Sequence, residues 1–168
     1  MVDTLYANPA SLVIGALCGI AVGYAAAFVA GSPAILWIAH VITAIGLARI
    51  VMGHALPRIS GSKTAVLEVA WEVGAFSFSL AVGILAAVCV NLGVDPTAQM
   101  LTVCYAIGYG TGIAARNAGR PLIAIWQMVF SLLPASAVLI VEPSLALRTL
   151  AVITFLLIPT MMLVPIKV

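Results

Sequence analysis

The sequence predicts an all-α, polytopic integral membrane protein with six transmembrane helices and both termini in the cytoplasm. Three observations carry that prediction. The chain of 168 residues is 64% hydrophobic and only 7% charged, with a mean hydropathy of +1.26, so a water-soluble fold would have too little polar surface to cover itself. The apolar residues fall into six blocks of Ala, Leu, Val, Ile and Gly without alternating polarity, which favours helices over a β-barrel. Six of the seven basic residues lie at alternate breaks between those blocks.

Taken in order, the blocks predict helices over 11–30, 33–56, 64–90, 96–116, 121–141 and 144–166. Asn8 and Pro9 lead into the first, and Pro33 sits at the first turn of the second. Residues 57–63 form the longest polar break. Asp95 and Pro96 open the fourth helix, and Asn117 to Gly119 make a tight turn before Pro121 starts the fifth. Glycine followed by proline is the punctuation expected between adjacent helices. Glu142 and Pro143 separate the last two blocks. Pro134 and Pro159 lie inside expected spans, where they should kink the helix. At about 20 residues per span, the length leaves room for this single helical domain and no soluble catalytic domain.

Arg49, Arg58 and Lys63 follow the second block, Arg116 and Arg120 bracket the break after the fourth, and Lys167 follows the sixth. Arg148 is the one base near the opposite set of breaks. Retained loops carry the Lys/Arg excess, so this pattern places both termini in the cytoplasm. The first block is of full membrane length and lacks a basic leader, so a cleaved signal peptide is not expected. Cys18, Cys89 and Cys104 read as small core residues and not as a disulfide or zinc framework. The net charge of +2 points to lipid headgroups and not to nucleic acid. The absence of an internal repeat argues against an inverted-repeat transporter.

Few residues carry chemistry. Glu68 and Glu72 share one helix face at the expected cytoplasmic end of the third helix. An ion pair between Glu72 and Arg116 or Arg120 would fix that helix against the hairpin of the fourth and fifth; the alternative is that each charge reaches water separately. Tyr105 and Tyr109 share a face of the fourth helix, with Thr102, Gly108 and Gly112 nearby. Together with Gln127 they would line a small ligand cavity, or else make interhelical hydrogen bonds within the packing. Gly15, Gly19 and Gly23 form a doubled small-xxx-small pattern, usable for close packing inside the bundle or as a homodimer seam. Trp37, Trp71 and Trp126 read as interface anchors.

His40 and His54 are fourteen residues apart on the second helix, about 21 Å of rise on nearly one face. That spacing suits haem b ligation near each leaflet, with the missing histidines supplied by a second copy. The alternative is that each is hydrogen-bonded or solvated, with no cofactor and no metal. No nucleophile–base arrangement accompanies any of these residues, so no enzyme activity is expected from this chain.

The stretch from Tyr109 to Ala124, centred on Ala115-Arg116-Asn117-Ala118-Gly119-Arg120-Pro121, resembles the N-terminal multi-helix membrane modules of bacterial diguanylate cyclases and GGDEF–EAL proteins. Trp71-Glu72 followed by Gly74-Ala75 is similar to the start of the third helix in those modules, although Val73 stands where they often carry a basic residue. The resemblance implies a dimeric inner-membrane sensory or anchoring module that regulates a cytoplasmic cyclase-like output domain. No GGDEF or EAL motif occurs in the chain. The expectation is therefore either the membrane part of a longer protein or a free-standing relative with a partner output. Two other functions stand beside it: a haem- or pigment-associated redox or assembly subunit, and a structural subunit of a larger membrane complex.

Overall fold

The computed structural model describes residues 9–59, 64–117 and 120–163. They form six helices: α1 (Pro9–Ala30), α2 (Pro33–Ile59), α3 (Thr64–Asn91), α4 (Pro96–Arg116), α5 (Pro121–Leu139) and α6 (Leu145–Leu163). Four are long and apolar enough to cross a membrane, over Leu12–Ala30, Pro33–Ala55, Glu68–Asn91 and Pro121–Leu139. α6 carries a shorter apolar stretch, Leu145–Thr160. α4 is interrupted by Thr97, Gln99, Thr102 and two tyrosines.

Local chemistry sets the ends. α1 stops where Gly31 turns left-handed at φ 60° and its N–H bonds the Ala27 carbonyl at 3.0 Å, a conformation that costs glycine little. Gly93 ends α3 in the same way, at φ 57°. There Gly93 N–H bonds Val90 and Val94 N–H bonds Cys89, the paired closure that satisfies the last carbonyls. Asp95 caps α4 by accepting a bond from Thr97 N–H at 2.7 Å, with Pro96 in the first turn.

Some boundaries differ from the sequence expectation. α2 continues through Pro57 to Ile59, because a proline in the last turn removes one hydrogen bond without stopping the residues after it. α5 ends at Leu139, where Val141 and Glu142 N–H groups bond back to Val138 and Leu139 in a tight turn. Arg148 Nε closes that turn by donating to the Glu142 carbonyl at 2.6 Å. Gly119, Lys63 and Lys167 lie outside the described residues, as do the side chains of Arg58 and Arg116.

α3 is the centre of the bundle. It packs along α5 most extensively and also meets α2 and α4. α1 pairs with α2 and with α4, while α6 rests on α5 and only grazes α4. Phe78, Leu85, Val82, Leu132 and Met128 fill the main core between these helices. The hydroxyls of Thr43, Ser79, Thr102, Thr111, Thr149 and Thr154 each bond a carbonyl one turn back on their own helix. That satisfies each hydroxyl within its own helix.

Candidate functional site

The starts of α3 and α5 meet at one end of the bundle. Arg120 Nη1 donates to Glu68 Oε1 at 2.7 Å, with the arginine the more covered partner. The sequence reading preferred Glu72 for this ion pair. Glu72 makes none among the described residues, because it lies a turn further from the helix start than Glu68, while Arg120 sits just before α5. One turn of rise, about 5.4 Å, decides the partner.

A second tie lies deeper. Asn117 Nδ2 donates to Gln127 Oε1 at 2.7 Å across the α4–α5 hairpin, and both side chains are buried. Gln127 therefore makes the interhelical hydrogen bond that is one of the two readings of the sequence, and it does not line the groove beside the tyrosines. Two amides flanking a short turn were the available signal for this pairing. Thr102 also faces away from such a cavity, since it is buried and bonds the Ala98 and Gln99 carbonyls of its own helix.

The two tyrosines do come together, with ring centroids 5.9 Å apart. Tyr105 Oη donates to the Gly15 carbonyl on α1 at 3.1 Å. Tyr109 stacks obliquely on Phe78 at 5.5 Å. They border an open groove of about 480 Å³ between α1 and α4, with Ile14, Cys18, Gly108 and Gly112 on its walls. It is apolar apart from the phenol and thiol groups.

Arg49 is the residue that sequence reasoning misplaced. It falls within the helix expected over 33–56 but counts there with the bases that follow the second block, whereas it is only 8% exposed. Its guanidinium sits 5.2 Å from the centre of the Phe78 ring. Gly74 makes room for it, since a methyl group there would stand 3.0 Å from Arg49 Cγ. Such a cation–π contact contributes about 0.5–2 kcal/mol, against about 2.5–3.5 kcal/mol for an arginine at the centre of a spanning helix. Among the described residues no carboxylate pairs with it.

The glycine pattern on α1 is used inside the chain. A methyl group at Gly19 would meet Phe78 Cζ at 2.7 Å and Tyr105 Oη at 2.9 Å, and one at Gly23 would meet Ala39 at 3.2 Å. Only Gly15 has open space beside it. These residues thus do not form a free dimer seam, because two of the three already receive side chains of their own bundle. Trp37 and Trp126 are exposed, but Trp71 is buried against Ala75 and Ile123 and is no interface anchor.

No family model matches the chain, and no curated protein or solved structure does so.

Both histidines are exposed on α2. His40 stands between Trp37 and Tyr24, whose hydroxyl lies 3.4 Å from His40 Nδ1. His54 Nδ1 is 2.8 Å from the Ile50 carbonyl. A carbonyl only accepts, so Nδ1 is the donor in this contact, and Nε2 is the ring nitrogen not engaged by it. No cluster of three or more metal-ligating side chains occurs among the described residues.

Proposed function

We propose that this chain is a sensory and anchoring module of the bacterial inner membrane. In this reading it spans the bilayer six times, keeps both termini in the cytoplasm, and sets the arrangement of a cytoplasmic output of the diguanylate cyclase type. The observation that carries the reading is the Glu68–Arg120 ion pair. It joins α3 to the α4–α5 hairpin within the segment that resembles cyclase membrane modules. α6 turns back beside α5 after the connection at 140–144, so its far end comes to the same side. A change in how α3 packs on α5 would therefore reach whatever follows α6. Arg58, at the end of α2, and Arg116 and Arg120, at the α4–α5 turn, belong to that side, which supports its cytoplasmic placement even without Arg49.

Topology reporters test the reading directly. A fluorescent protein fused after Val168 should fluoresce, and alkaline phosphatase at the same place should be inactive. Phosphatase fused after Leu92 should be active. The reverse pattern would overturn the proposal, as would a fused cyclase domain whose output ignores Glu68→Gln.

A second reading, a haem-associated subunit, draws on His54, whose Nε2 is left available as a ligand. The purified protein is expected to show no Soret band, before or after haem is added. A band lost on His54→Ala would favour the haem reading instead.

A further inference from the structure

We propose that a small cavity between α1, α2 and α3 is a binding site for one small monovalent anion of the halide class. Arg49 and Trp71 both line this cavity, and Leu12, Met52, Gly53 and Ala70 complete it. Its free space is about 10 Å³, which admits a single small ion or molecule. A nucleotide or a lipid headgroup does not fit.

A buried charge and a buried, unpartnered N–H donor meet there. Arg49 is more than nine-tenths buried, and no carboxylate among the described residues neutralises it. Phe78 covers one face of its guanidinium, and the N–H donors of the guanidinium edge remain open to a species in the cavity. Trp71 is 6% exposed, and its indole Nε1 is buried without an acceptor among the described residues. The remaining walls offer no acceptor side chain. A water molecule would satisfy the indole and leave the charge unbalanced in a low-dielectric site. An anion answers both. Trp71 lies seven residues into α3, about 10 Å along the axis, so the site is near enough to the bundle's end to fill from the aqueous phase.

The inference stands apart from the signalling proposal, since it needs neither an output domain nor a particular orientation. It is tested on the whole chain in phosphatidylcholine nanodiscs, carrying Trp37→Phe and Trp126→Phe so that Trp71 is the sole fluorophore. Iodide is titrated against gluconate at constant ionic strength. The expected result is saturable quenching, competed by chloride, with half-saturation raised at least tenfold by Arg49→Gln and largely restored by Arg49→Lys. Thermal unfolding of the unsubstituted chain in chloride and in gluconate gives a reading that needs no variant, and chloride should raise Tm. Unsaturable quenching that is the same with and without Arg49, or a Tm indifferent to chloride, would overturn the proposal.

Discussion

Gly83 on α3 lies directly against the Phe130 carbonyl of α5. Pro134, four residues further along α5, has no N–H to offer that carbonyl. The glycine lets the α3 backbone close over that oxygen. A methyl group on Gly83 would collide with the Phe130 oxygen and stand 2.9 Å from the Ser131 oxygen and 3.1 Å from Pro134 Cγ. Backbone oxygens cannot rotate aside. Gly83→Ala should therefore destabilise the bundle by about 1–3 kcal/mol. Gly108→Ala, which meets nothing within 4 Å, should stay within about 0.5 kcal/mol of the parent. Reversible unfolding in mixed micelles compares the two, and equal losses would contradict the close approach.

The ion pair at the bundle's end should be modest in energy. Glu68 keeps 41% of its side-chain surface, so solvent screens the attraction, and a double-mutant cycle with Glu68→Gln and Arg120→Gln should give a coupling of about 0.2–1 kcal/mol. The coupling should shrink with added salt. Replacing Glu68 by Glu72 in the same cycle should give no coupling. A larger value for Glu72 would reassign the pair.

Gly19 separates internal packing from dimerisation. Gly19→Ile places bulk where Phe78 and Tyr105 already stand, so the unfolding midpoint should fall at every protein concentration. The oligomeric state, read by light scattering in detergent, should not change. A concentration-dependent loss would instead mark an interface between copies.

Acid should loosen the start of α4. Hydrogen bonds from Thr97 hold the Asp95 carboxyl below the ordinary aspartate range. A lowered folded value means that the carboxylate stabilises the native state above the unfolded pKa, about 3.9, and that this contribution fades as pH falls through the folded value. Asp95→Asn keeps an acceptor at the cap without the titration. The parent should thus lose stability more steeply than Asp95→Asn below about pH 4, as followed by circular dichroism. Parallel profiles would remove the cap from the acid response.

Much of the fold was readable because proline and glycine act locally. Pro33, Pro96 and Pro121 open helices in sequence and structure alike, and Gly31 and Gly93 supply the left-handed turns. What sequence could not reveal was depth. Arg49 sits near the end of an apolar block, where charge rules turn a base toward water, whereas packing against α3 buries it. Glu68 and Glu72 differ by a single turn, and only the position of the neighbouring hairpin chooses between them. Trp71 and Gln127 share their residue types with interface anchors and cavity walls; burial between α3, α4 and α5 gives them other roles.

The hydroxyls that bend back onto their own helices leave few fastenings between one helix and the next. Among the described residues, polar stitches join α1 to α2 (Tyr24 to His40), α4 to α1 (Tyr105 to Gly15), α4 to α5 (Asn117 to Gln127) and α3 to α5 (Glu68 to Arg120). None of these reaches α6. Among the described residues α6 meets α5 through apolar contact, with Arg148 tied only to the Glu142 carbonyl of the turn before it, so a shift of α6 along α5 would break none of these stitches.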